Sequence, residues 1–325
     1  MARESTSLRQ YHGRVPPARP DHQQMNTVLC VGIATLDRIL AVDRHPTEPG
    51  KYRATSRAVA GGGVAANAAV TVARLGGEAR FLGVVGDDEA GRAITDSLAI
   101  EGVDVSMLRV APGRLSPESV VLIDSTGERL IVNHASPDLF DLATPPAIGE
   151  IGRPDIVLTD MRWRAGSVAA LEAARALDVP GIVDCDHDPR DAPGILEEAS
   201  HVIFGRSTLE SWTGARDLGA ALAVARSRLD AWVAVTSGSE GTSWLEAGRV
   251  AHVEAFDVDA VDTLGAGDVF HGAFALGLAE GMGPRPAIAF ASAAAALKCT
   301  RFGGRAGIPT RGELERFLSE RVEHR

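Results

Sequence analysis

From Val28 onward the chain alternates short, wholly apolar runs with stretches in which apolar residues recur every three or four positions. The runs VLCVGI, ARFLGVV, DIVLTD, GIVDCD, HVIF and WVAVT are too short for helices and predict strands. Ala65 to Leu75, Glu89 to Ile100 and Ser167 to Leu177 carry the helical period and fall between them. Strands buried on both faces, with helices in the connections, predict an α/β domain: a doubly wound, mostly parallel sheet with helices on both faces. Two segments break the alternation, about residues 37–58 and 105–135. Within the second, SVVLID and ERLIVN flank the turn STG as a hairpin, so these segments predict a small β-sheet lid. Residues 1–26, rich in Arg, Pro, His and Gln, are expected to form a disordered arm before one domain over 27–325, with Met25 an alternative start.

With 325 residues the chain is long enough to bury a full core. No apolar run approaches the roughly 18 residues of a membrane span, which excludes insertion. The formal charge of −10, with no basic stripe, argues against a nucleic-acid partner and leaves an anionic substrate to be met by a few local cations. Cys30, Cys185 and Cys299 are widely spaced and odd in number, suggesting neither a disulfide framework nor a zinc site. They are expected to be buried thiols in a reducing cytoplasm.

The stretch DTLGAGD, Asp262 to Asp268, narrows the chemistry. Gly265, Ala266 and Gly267 let backbone N–H groups converge at the start of a helix, where the dipole also favours an anion. Asp268 stands beside that cradle as a candidate general base for a hydroxyl attacking a phosphoryl group. Alone, the motif also fits a glycine-rich turn capped by aspartate.

A second glycine cluster, AGGGVAANAAVTVARLGG from Ala60 to Gly77, changes the weighing. Together the two segments resemble the signatures of the ribokinase-like, or PfkB, family of sugar and nucleoside kinases, from about Val28 to the C-terminus. The resemblance implies ATP and Mg²⁺ as cofactors and a lid that closes over the sugar and pairs with the lid of a second copy in a homodimer. It places Gly62 and Gly63 where a sugar approaches the backbone, Asp37 where a carboxylate accepts sugar hydroxyls, and Asn67 facing the substrate. By themselves Asp37 also reads as a loop aspartate and Asn67 as an amide near a helix start. Thr236, Gly238 and Gly241 of TSGSEG match the segment lining the ATP site, which Gly265 and Gly267 complete. Asp262, with carbonyls near Cys299 to Gly304, matches the region where such enzymes hold potassium. Asp262 fits a helix cap or a brace for the anion hole equally well.

The chain departs from the family at its NxxE motif, which falls on Gly205 to Thr208 as GRST. The magnesium ligands are therefore unassigned, with Glu210 and the acids of DCDHD, Asp184 to Asp188, as nearby carboxylates. Pro189 stands where a calcium loop needs glycine, which rules out that reading. Within the family, TEPGKY, IVNHASPDL, DMRW and LKCTRFGGRAGIP are similar to strings of bacterial sulfofructose kinases. That likeness implies phosphorylation of the 1-hydroxyl of 6-deoxy-6-sulfofructose and a sulfonate pocket of Lys51, Asn133 and Arg162. An ammonium, an amide and a guanidinium suit three oxygens bearing a single negative charge. Another acceptor of the family (fructose 6-phosphate, ketodeoxygluconate or a nucleoside) and a non-catalytic sugar-binding protein of the same fold are the alternatives.

Overall fold

A computed structural model describes residues 26–323 apart from 137 and 142. Most of the expected N-terminal arm, and Met25, lie outside the described residues. The first apolar run forms β1, Thr27–Val31, whose last four residues are buried. It enters the lid through β2, Thr35–Ala41, and β3, Ser56–Gly62, and returns to the core through the helix Val64–Arg74. Next come β4, Glu78–Leu82, β5, Val84–Gly86, and, after the helix Glu89–Ile100, β6, Arg109–Ala111. The hairpin strands are β7, Glu118–Ile123, and β8, Arg129–His134. The second half supplies β9, Ile156–Thr159, β10, Gly181–Cys185, β11, His201–Gly205, and β12, Trp232–Thr236. A closing hairpin gives β13, Thr242–Glu246, and β14, Arg249–Val253.

The main sheet has eight strands in the order β14-β13-β12-β11-β10-β9-β1-β4. From β12 to β4 every pairing is parallel, and the hairpin β13–β14 adds two antiparallel strands at one edge. Every parallel strand therefore ends on the same side, where open α/β sheets bind ligands. The lid is a separate sheet in the order β3-β2-β7-β8. Its hairpin turns where expected: Asp124 accepts the N–H groups of Thr126 and Glu128, and Gly127 takes φ +83°.

Two sequence expectations are corrected in detail. ARFLGVV does not continue as one strand. A Cβ at Gly83 would lie 2.6 Å from the Phe81 ring and 2.7 Å from the Gly32 carbonyl, and beyond this close approach Val84–Gly86 leaves the main sheet. It pairs with Arg109–Ala111 in a two-stranded sheet, so this part of 105–135 is not lid. The helix expected from Ser167 begins earlier, at Arg164.

The site depends on a helix that is apolar nearly all round, Ala266–Ala279, and therefore lies inside the protein between its neighbours. It packs against Val64–Arg74 and Pro284–Cys299. At its crossing with Val64–Arg74, a Cβ on Gly272 would stand 2.5 Å from the Ala68 carbonyl. Glycine there lets the two helices touch, and that contact brings Asn67 of one beside Asp268 of the other. No helix among the described residues is long and apolar enough to cross a membrane.

Candidate active site

Asp268 sits in the first turn of Ala266–Ala279, whose N-cap, Gly265, has φ +77°. A left-handed backbone there favours glycine. Ala266 donates its N–H to the Thr263 carbonyl at 3.2 Å, so the N–H groups of Gly267 and Asp268 are those left for an anion. Nothing lies within 4 Å of a Cβ built on Gly267, which leaves open space in front of the helix N-terminus. Gly265 thus supplies the turn, and Gly267 borders open space.

The Asp268 carboxylate is held by Asn67, whose Nδ2 donates to Oδ2 at 2.7 Å. Burial pushes its pKa up to about 7; the charges of Asp184 and Asp186 add to the rise, while the Asn67 hydrogen bond and His271 oppose it. A carboxyl with a pKa near neutrality is suited to take a proton at neutral pH. Asp184, at the end of β10, is itself paired with His271 at 2.9 Å, and the same ring nitrogen lies 2.7 Å from the Gly267 carbonyl.

The three upstream glycines each have a separate steric cause. A Cβ at Gly61 would lie 2.0 Å from Nη1 of Arg305, one at Gly62 would lie 2.0 Å from Oδ2 of Asp37, and one at Gly63 would lie 2.5 Å from the Ile33 carbonyl. Gly62 therefore admits Asp37, whose Oδ1 accepts the Thr35 hydroxyl at 2.7 Å. Burial raises the Asp37 pKa, against the Thr35 and Ser119 hydroxyls and the Arg305 charge. Gly61 admits Arg305, a buried guanidinium absent from the residues expected from sequence. Its Nε donates to Asn67 Oδ1 at 3.1 Å, Nη2 to the Gly62 carbonyl at 3.1 Å, and Nη1 to Ser97 Oγ at 3.2 Å. Burial lowers its pKa to about 10, so it stays charged at neutral pH. Arg305 thus fixes the amide that holds the Asp268 carboxylate.

Beneath this runs a second carboxylate that the sequence did not reveal, Asp160, just after β9. It accepts the N–H groups of Ile33 at 2.8 Å, Ala65 at 3.2 Å and Arg162 at 2.8 Å, tying the entry to the lid and the glycine loop to the main sheet. Burial raises its pKa to about 6. Asp262 plays a similar part above: Oδ1 accepts Leu264 N–H at 2.8 Å, and Oδ2 accepts those of Gly303 at 3.0 Å and Gly304 at 2.9 Å. Burial works to raise its pKa, but these N–H groups and Lys298 outweigh it and hold the carboxyl below its ordinary range.

Of the other expected residues, Asn133 lies in the lid row Asp37, Ser119, Asn133, which the pairing of β2, β7 and β8 puts on one face. Its Nδ2 donates to Ser119 Oγ at 3.1 Å and to the Glu118 carbonyl at 3.2 Å. Arg162 follows β9 but is engaged by Asp186 through two bonds of 3.0 and 2.7 Å. Lys51 is exposed in the connection between β2 and β3. Thr236 ends β12, and Gly238 and Gly241 shape the turn after it; a Cβ on Gly241 would lie 2.2 Å from the Val253 carbonyl, so that glycine has a packing reason of its own. In the GRST stretch Arg206 is paired with Glu210 and Glu240.

Among the described residues no group of three or more His, Cys, Asp or Glu side chains is placed to hold a metal. A donor set of scattered carboxylates fits a magnesium ion carried on phosphates with one or two protein ligands, and not a cage of protein atoms. The structure thus places one buried carboxylate, Asp268, at a helix N-terminus and another, Asp37, on the lid sheet, and the sequence model of pfkB family carbohydrate kinases matches residues 25–311. This chain belongs to that family. The kinase is 29% identical to ribokinase of Bacillus subtilis (strain 168) over 308 residues, covering 91% of this chain and 100% of that one. It is 34% identical to fructokinase of Klebsiella pneumoniae over 283 residues, covering 79% and 91%. Among solved structures, a protein of Agrobacterium tumefaciens provisionally named a ribokinase matches the kinase with a TM-score of 0.89 at 40% identity, covering 92% of this chain and 99% of that one.

Proposed function

We propose that this carbohydrate kinase transfers the γ-phosphoryl group of ATP to the 1-hydroxyl of 6-deoxy-6-sulfofructose. The chemical half of the reading is carried by Asp268. Its carboxylate takes the hydroxyl proton as the sugar oxygen bonds to the γ-phosphorus and the bond to the β-phosphate oxygen breaks, releasing ADP. The N–H groups of Gly267 and Asp268 stabilise the charge on the transferred group. Magnesium bound with the nucleotide would supply further neutralisation of that charge. Asp37 orients the sugar by accepting two hydroxyls.

The acceptor half is supported by the row Asp37, Ser119, Asn133, which lets one face of the lid meet both sugar hydroxyls and an acidic tail. Lys51 and Arg162 complete the proposed pocket. One observation favours a neutral ketose such as fructose instead: the Arg162 guanidinium is already matched to Asp186. Arg162→Ala separates the two. Loss of a hydrogen bond to a charged group costs about 1.5–3 kcal/mol, so kcat/KM for sulfofructose should fall roughly ten- to a hundredfold, with little change for fructose. Equal losses for the two sugars would remove the sulfonate pocket. Acceptor-dependent ADP release in the wild type excludes a non-catalytic sugar-binding protein.

We also propose a homodimer through the lid. The row Val59, Arg38, Val120, Val132 crosses the face opposite Asp37, and Val59 and Val132 are 56% and 62% exposed. With Leu130 beside them the valines make a largely apolar sheet face, interrupted by the Arg38–Glu118 ion pair, of the kind that marks an interaction surface. Sedimentation is expected to show a dimer that Val132→Glu converts to monomer; a monomeric wild type would refute it.

A further inference from the structure

The donors around Asp262 do not fit the monovalent cation that the resemblance places there. Lys298, in the last turn of Pro284–Cys299, is fully buried. Its Nζ donates to the Asp262 carbonyl at 2.8 Å and stands 3.5 Å from Asp262 Oδ2. The Asp262 carboxylate and the Cys299 carbonyl are engaged as well. The carboxylate takes the three N–H groups of Leu264, Gly303 and Gly304, and the Cys299 carbonyl accepts those of Val261 at 2.8 Å and Asp262 at 3.1 Å. A buried cation needs both a shell of oxygens and an opposite charge to offset its lost hydration. Here the one carboxylate is already balanced by the ammonium, and Arg129 brings a further positive charge to the adjacent Thr263 hydroxyl at 2.7 Å.

We propose that the Lys298 ammonium is this kinase's built-in monovalent cation, so that turnover needs no potassium. Asp262 joins two loops: one oxygen holds Leu264, just before the N-cap Gly265, and the other holds Gly303 and Gly304, just before Arg305. An exchangeable ion at this junction would order the anion cradle and the Arg305 loop only while bound. A lysine tethered to the neighbouring helix does so permanently. The proposal rests on membership of the kinase family and not on the identity of the acceptor.

The experiment compares potassium, sodium and tetramethylammonium chlorides at equal ionic strength. It reads the melting temperature, which depends on no acceptor, and kcat with the best acceptor. For the wild type the melting temperature should be the same in all three salts, because an ion that binds only the folded state would raise it by mass action. The rates should agree within about twofold. Lys298→Ala leaves Asp262 unpaired in an emptied pocket; it should be inactive or nearly so in tetramethylammonium and gain both activity and melting temperature from potassium. Lys298→Met fills the space without a charge and should gain nothing from potassium. Potassium activation of the wild type by about tenfold or more, with a raised melting temperature, would overturn the proposal. So would an alanine variant fully active in tetramethylammonium. Should both variants fail to fold, the wild-type comparison still decides.

Discussion

Asp268→Asn is expected to lower kcat by about 10²–10⁴-fold, the usual cost of removing a general base, while sugar binding and melting temperature stay close to wild type. The amide is nearly isosteric, and its oxygen can still accept the Asn67 Nδ2 hydrogen now directed at Oδ2. It also carries no charge to desolvate, so the fold gives up little. The pH dependence provides an independent check. The base works only when ionised, and burial with the Asp184 and Asp186 charges lifts its pKa to about 7. Wild-type kcat/KM should therefore fall as pH drops through about 7, and the residual activity of the variant should be flat across the same range. Wild-type turnover in the variant, or an unchanged limb, would show that another group takes the proton.

The difference between what the sequence revealed and what it hid follows from the kind of signal each residue leaves. Strands β1, β9, β10, β11 and β12 are buried on both faces, so they stand out as short apolar runs. The edge hairpin β13–β14 escaped because TSWLE and RVAHV mix polar and apolar residues, as an edge with an exposed face allows. Asp268 and Asp262 were visible through the glycines around them, since a backbone shape restricts residue type locally. Arg305 and Lys298 were not. Each meets partners far away in the chain, Arg305 touching Asn67 across 238 positions, and a single basic residue carries no period or spacing that marks it. The glycine cluster held the missing information in an indirect form. Its apparent reason was a sugar near the backbone; two of its three glycines are also required by side chains, Asp37 and Arg305, that would strike a Cβ.

That double duty leads to the second large effect, expected from Gly61→Ala and from Arg305→Met. In the first, a methyl group built 2.0 Å from Nη1 must displace the guanidinium, which three hydrogen bonds hold in a buried place. In the second, the guanidinium is gone and buried Asn67 Oδ1 loses its donor. Each unmet buried group costs about 1–3 kcal/mol, so both variants should melt well below wild type. The catalytic consequence separates a positioning role from a merely structural one. Arg305 holds the Asn67 oxygen, and the Asn67 amide in turn keeps the pKa of Asp268 lower than burial and its acidic neighbours would set it. Releasing that amide raises the pKa further, which moves the base limb of kcat/KM to higher pH. Both variants should therefore lose about ten- to a hundredfold in kcat/KM at neutral pH for every acceptor and recover part of the loss in alkaline buffer. Destabilised variants whose limb stays at the wild-type position would confine Arg305 to packing and leave Asn67 to hold the base unaided.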